Sequence, residues 1–331
     1  MDRTILRLAM DGSFPYKKGP SIRFCHLGFR IMNLRVRFQS LSVSVLIAIV
    51  FVGFPSICFA QKPLAWKFPK DRVIDVVMEQ DTKMKLTGLA STPIKEINTI
   101  QRTDLIWTVL EVRSDGVVTL QQAIRRIVLE MKSQNANFVV DTDNDKPLAG
   151  VGEIMAKEIR SLAGSRFLVT TNKNGEVLDV KIPDDSSKRA NPDGLAEAGL
   201  REIAVNSSLQ FPNKLVNVGD TWQKQFELDM RTFGKLTVST TYQYLGEELV
   251  AGQTLDKIRA TTAMRASDPK DNSGLKLSQQ ESAGTIWFNN AQGCIDHCEY
   301  KQEMSMDVQQ AGQQIKQIVN QDLKLKFTLR P

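Results

Sequence analysis

The chain has 331 residues, 42% of them hydrophobic and 24% charged, with a formal net charge of +6. That composition is too apolar for a disordered chain and, beyond one N-terminal run, too polar for a multi-span membrane protein. Residues 1–60 hold eight Lys/Arg against two Asp/Glu, and the remainder carries the two signs in equal number. The body is therefore neutral, and no basic patch advertises nucleic acid or anionic lipid.

Leu41 to Phe59 is an uncharged, largely apolar run that follows Arg35 and Arg37. A positive flank before such a run is the pattern of a secretory signal peptide. Pro55 interrupts the run, and Cys58 and Ala60 put small residues at the −3 and −1 positions of a cleavage site before Gln61. The expectation is an exported protein, periplasmic or extracellular, whose first mature residue is Gln61. The alternative is an uncleaved anchor over 41–59, because about 19 apolar residues just span a bilayer; membrane contact would then be through the leader alone. The bulky Ile57 disfavours lipid attachment at Cys58, and Met32 opens a more usual leader than Met1. Residues 61–331 are enough for one large or two small domains with a sizeable core.

Beyond the leader, period-two alternation dominates. Leu105, Trp107 and Val109 lead to a hairpin signal at Ser114-Asp115-Gly116, and Ile127, Leu129 and Met131 return, with muddled parity near Gln121 that predicts a bulge there. Val151 to Leu162 places Val151, Ile154, Met155, Ile159 and Leu162 on one helical face, with Gly164 as a stop. The polar stretch 181–191 reads as a loop, and a second amphipathic helix is expected from Pro192 to Val205, with Leu195, Ala196, Leu200 and Ile203 inward. Leu236, Val238, Thr240, Tyr242 and Tyr244 form a half-buried strand, then Ile258, Ala260, Thr262 and Met264, and finally Leu323, Leu325, Phe327 and Leu329. A polar loop separates the last two groups at 267–274.

Phe167 to Asp179 and Thr285 to His297 share one layout of strand, Asn-rich turn, closing Gly and returning strand. With the Asp115-Gly116 hairpin matching Glu247 to Gly252, and Lys67 to Met84 matching Val216 to Met230, the halves 61–190 and 191–331 read as a duplicated meander. The predicted fold is mainly β, a β-rich α+β arrangement of long antiparallel strands in a curled sheet or half-barrel with two helices packed against it.

The catalytic inventory is thin. His297 is the one histidine of residues 61–331, and with Cys294 and Cys298 it forms a Cys-x-x-His-Cys cluster. Strand alternation turns His297 away from the cysteines, which ruins convergence on a soft metal. Four strand residues also hold the two sulfurs about 13 Å apart, beyond disulfide reach, so the expectation is two buried, unbridged thiols. Asp141, Asp143 and Asp145 open like a calcium loop, but Lys146, Pro147 and Gly152 occupy the positions where that loop needs other residues. Gly150-Val-Gly152 lacks a third glycine, and Ser273-x-x-Lys276 lacks its partner motifs. No catalytic, cofactor-binding or metal-binding residue is assigned, and no cofactor is expected.

Phe138-Val-Val-Asp-Thr-Asp, Leu162-Ala-Gly164, Phe167-Leu-Val-Thr, Asn174-Gly175-Glu-Val and Phe211-Pro-Asn-Lys-Leu-Val-Asn-Val-Gly219-Asp-Thr-Trp222, in that order, resemble a family of exported bacterial proteins frequent in planctomycetes, whose function is unknown. The similarity covers nearly all of 61–331, and its motifs are turns and strand starts. It implies export and a β-rich fold, and no site residue. The layout also resembles the half-open barrels of periplasmic lipoprotein carriers, in architecture alone. The expectation is a non-enzymatic binding module for a lipid or other apolar molecule on the curved sheet, with a structural or interaction protein of the cell envelope, or a hydrolase of unrecognised site, as alternatives.

Overall fold

The computed structural model describes residues 61–89, 92–134, 136–182, 208–229, 235–266, 275–310 and 313–331. The chain divides into units 1–56 and 57–331, and the fold described belongs to the second. The leader at 41–59, Ala60 and the helix expected over 192–205 lie outside the described residues, of which Gln61 is the first.

The alternation produces one open antiparallel sheet. Its strands are β1 (Val73–Leu89), β2 (Thr92–Val112), β3 (Val118–Ser133), β4 (Asn137–Asp141), β5 (Arg166–Thr171), β6 (Val177–Lys181), β7 (Thr221–Asp229), β8 (Lys235–Val250), β9 (Gln253–Ala266), β10 (Leu275–Asn289), β11 (Cys294–Gln310) and β12 (Gln313–Leu329). Across the sheet they run β6-β5-β3-β2-β1-β12-β11-β10-β9-β8-β7, with β4 added beside the second half of β3. Chain neighbours pair within two meanders, and β12 joins them by lying between β11 and β1. The bulge expected at Gln121 falls elsewhere. Gln121 opposes Thr108 in regular register, and the unpaired residues are Arg125 and Leu110, one on each strand of that hairpin.

The one helix among the described residues is α1 (Val151–Leu162), over the span its periodicity predicts. Its inner face is narrower than predicted. Gly152, Ala156 and Ile159 are buried, whereas Val151 and Ile154 are 55% and 65% exposed. A Cβ on Gly152 would lie 3.2 Å from the Phe138 ring of β4, so the helix sits down on that ring through its smallest residues and rolls the branched ones outward.

A single core draws on Val180 of β6, Phe167 of β5, Trp107 of β2, Phe288 of β10 and Tyr242 of β8. Strands so far apart in the pairing order share one cluster only if the sheet curls about its inner face. The segment Lys62–Phe68 lies at that core. Trp66 N–H donates to Lys173 O (3.3 Å) and Lys67 N–H to Gly293 O (2.9 Å), so the two Asn-rich turns clasp it from either side. Glycine is required in both turns: a Cβ on Gly175 would sit 2.1 Å from Leu209 O, and one on Gly293 2.3 Å from the Lys67 Cβ. Trp66 stacks on Phe68 at 5.2 Å and meets Phe288 edge-on at 5.6 Å, while Phe211 meets Phe288 at 4.6 Å. This is the closed end of the sheet, and the opposite end of the long strands is its open end.

Candidate functional site

Register places inner-face side chains from different strands in transverse rows, and the rows differ in chemistry from one end of the sheet to the other. Beyond the buried rows of Ile74 with Trp107 and Val76 with Phe327, Met78, Leu325, Cys298, Ile286, Ile258 and Tyr244 oppose one another across β1 and β12 to β8. The next row carries Gln101, Gln80, Leu323, Tyr300, Gly284, Ala260, Tyr242 and Trp222. A Cβ on Gly284 would lie 2.3 Å from the Tyr300 ring, so the glycine leaves room for that ring, and Trp222 stacks on Tyr242 at 5.5 Å.

One row further out the inner face turns polar from β2 to β7, while Met131 of β3, opposite Thr99, stays apolar. Thr99, Thr82, Gln321, Gln302 and Ser282 face one another from β2 to β10, and Thr262, Thr240 and Lys224 do so from β9 to β7. All but Thr240 are half-buried. Beyond this stripe the face is apolar again, with Ile97, Met84, Val319 and Met304 in one run and Met264, Val238 and Phe226 in the other. Val238 and Val319 are buried and the others half-buried.

Hydrogen bonds within the stripe are mostly local. Gln80 Nε2 donates to Thr82 Oγ1 (3.2 Å), Gln101 Nε2 to Thr103 Oγ1 (3.1 Å), and Thr240 and Thr262 share a 2.9 Å hydroxyl pair. Between β9 and β10 the backbone ladder stops at Thr261 and Ala283, where the Gln280 carboxamide takes over. Its Nε2 donates to Thr262 O (2.9 Å) and its Oε1 accepts from Met264 N–H. Lys224 ends the stripe on β7, donating to Ser208 O (2.9 Å) and Oγ (3.1 Å), and burial pulls its ammonium down to about 8. In the rows from closed end to open end it is the one Asp, Glu, Lys or Arg among the inner-facing residues named. Burial likewise raises the Tyr242 and Tyr300 hydroxyls above the ordinary tyrosine value.

The outer face is the reverse. Glu79 pairs with Arg102 (3.1 Å), Arg102 with Asp104 (3.1 Å), and Lys324 lies 3.8 Å from Glu299. Glu79, Arg102, Glu299, Lys324 and His297 line an open trough of about 410 Å³. At the closed end a small cleft of about 20 Å³, room for a single water, lies beside Trp107 Nε1 and Gln122 Oε1, which have no partner among the described residues.

The other residues singled out in the sequence fall as follows. Cys294 and Cys298 are buried and unbridged. Their shared face is not as expected: Cys298 opposes Ile286 and Cys294 opposes Asn289, an odd interval created by a bulge between Trp287 and Phe288. His297 points outward, stacked on Trp287 at 4.3 Å with Nδ1 bonded to Asp296 at 2.7 Å. Asp141 accepts two bonds from Arg126 (3.0 and 2.7 Å), which hold its carboxyl below the usual range, and Asp143 and Asp145 pair with Arg126 and Arg160. The acidic turn is thus neutralised by arginines. Ser273 lies outside the described residues, and Lys276 is exposed on β10. No helix among the described residues is long and apolar enough to cross a membrane.

No family model and no curated protein matches the chain. Among solved structures it is similar to lipovitellin, in a structure concerned with that protein's lipid–protein interactions, at 14% identity and a TM-score of 0.45, covering 80% of this chain and 26% of that one. This chain therefore spans about a quarter of the lipovitellin chain. A Bacteroides fragilis protein described as exported, with a YmcC-like fold, is similar at 12% identity and a TM-score of 0.26, covering 77% of this chain and 97% of that one. An outer membrane channel from Pseudomonas putida gives 9% identity and 0.23, with 80% and 97% covered. At these scores none of the three lends this chain a ligand or an activity.

Proposed function

We propose that the protein is an exported, non-enzymatic carrier or sensor that holds a lipid-like molecule on the open-end half of its inner face. One observation carries the reading: Met84, Ile97, Met264, Met304 and Phe226 are apolar, face inward in register, and are only half-buried on a sheet whose other face is charged. Apolar side chains gathered on one face without a cover mark a binding surface more often than chance exposure does. The ligand would lie on an open face, since the cleft beside Trp107 and Gln122 has room for only one water.

Export rests on the leader and on cleavage between Ala60 and Gln61. Cleavage there leaves the Lys62–Phe68 strap almost at the new N-terminus, where it needs no preceding residues to reach Lys173 and Gly293. The outer face weighs against a strand-built membrane span, because β1 alone turns Asp75, Glu79, Asp81, Lys83 and Lys85 outward, and a lysine at the bilayer midplane costs about 2–4 kcal/mol. The test is native mass spectrometry of protein purified from the exported fraction without detergent. Bound lipid is expected, and Val238→Trp or Met264→Trp, which fill the facing positions of β8 and β9, should release it while the fold survives. Protein that carries no lipid and takes up no hydrophobic dye saturably contradicts the reading.

A further inference from the structure

Resting on the carrier reading, we infer that the ligand is a neutral amphiphile whose ester or hydroxyl group lies on the polar stripe formed by Thr99, Thr82, Gln321 and Gln302, with its hydrocarbon on the apolar rows beside it. The stripe runs unbroken in register over β2, β1, β12 and β11, about 14 Å at the usual strand spacing. On the open side the apolar row Ile97, Met84, Val319 and Met304 borders it, about 7 Å away. On the closed side Leu323 and Tyr300 border it on β12 and β11, whereas Gln80 and Gln101 continue the polar surface on β1 and β2. An apolar chain lying along the strands from one apolar row to the other must cross it.

A pure hydrocarbon crossing the stripe strips water from hydroxyls and carboxamides and returns nothing, and a polar group left unpaired in that way costs free energy. A carboxylate or phosphate loses its own water there without meeting a cation, because the stripe from β2 to β11 holds only Thr and Gln. Lys224, at the far edge on β7, is already bonded to Ser208. An ester or alcohol satisfies both sides: its oxygens accept from Thr hydroxyls and Gln amides, and its hydroxyl donates to a Gln carbonyl. The glutamines are available for this. Gln302 bonds only the Met304 sulfur, at 4.0 Å, and among the described residues Gln321 bonds nothing.

The experiment is displacement of bound N-phenyl-1-naphthylamine by three probes of similar chain length: 1-monooleoylglycerol, oleate and 1-octadecene. Wild type should prefer monooleoylglycerol over the other two by about tenfold or more, one or two net hydrogen bonds' worth. In Thr82→Val/Gln302→Leu/Gln321→Leu, dye uptake should persist and monooleoylglycerol should weaken about tenfold while octadecene is unchanged or tighter. Gln302→Met alone, a milder change should the triple variant unfold, should weaken monooleoylglycerol about threefold. An unaltered preference in the variants, or oleate binding as well as monooleoylglycerol in wild type, overturns the inference and leaves the carrier reading standing. Failure of wild type to take up the dye overturns both.

Discussion

The two ends of the same strands solve opposite problems. At the closed end, inward positions hold Trp, Phe, Ile and Val that are almost wholly buried, locked by a strap that two glycine turns grip. At the open end the same inward parity holds Met, Thr and Gln that are only half-buried. One sheet therefore contains both a conventional core, where side-chain volume is conserved by packing, and a surface whose flexible methionines tolerate contact without demanding it. Alternation tells which face a residue takes, and only its distance from the strap tells whether that face is filled.

Truncation should expose the difference most strongly. Phe288→Ala removes a fully buried ring that touches Trp66 and Phe211, and should cost about 3–5 kcal/mol by urea denaturation. Met304→Ala, on the open end, should cost less than about 1 kcal/mol; equal losses at the two positions would erase the distinction. Next in size is Gly293→Ala. Its φ of +68° and the Lys67 backbone nitrogen 2.4 Å from the added Cβ mean the strap must move, so a loss of about 2–3 kcal/mol is expected, with faster proteolysis after Lys67. A turn that merely reverses the chain would tolerate the change for about 1 kcal/mol.

A smaller effect belongs to the cysteines. Burial pushes Cys294 up to about 11 and Cys298 up to about 12, so native protein near neutral pH should label slowly at both and rapidly in urea. Fast native labelling of either would place it outside the core. A pH effect belongs to the stripe's edge. With its folded value near 8 against an ordinary 10.5, Lys224 binds fewer protons folded than unfolded between those limits. Its contribution to stability therefore rises as pH climbs from about 8 to 10.5. Lys224→Met should remove that rise, measured as the wild-type minus variant difference in urea midpoint across the window.

Much of the fold was legible in the sequence. The strands at 236–244, 258–264 and 323–329, the Asp115-Gly116 hairpin and α1 with its Gly164 stop all lie where period and turn chemistry place them. Two details were not. The inner face of α1 belongs to Gly152 and Ala156 because the Phe138 ring occupies the space, and hydropathy alone favours Val151 and Ile154. Bulges at Arg125 and beside Trp287 shift parity by one residue, which no count along a single strand reveals. The stripe was invisible for a related reason. Thr82, Thr99, Gln302 and Gln321 each look like a lapse in one strand's alternation, and they become a row only once register aligns strands far apart in the chain.

Methionine methyl resonances test the central claim most directly, because methionines mark both kinds of environment. Titrating 13C-methyl-Met protein with monooleoylglycerol should shift Met84, Met264 and Met304, which face inward at the open end, in one saturable step. Met155 on α1, packed against the core, should stay still. Shifts at Met155 with none at the three open-end methyls, or a uniform drift that never saturates, would contradict an open inner face built to hold a lipid.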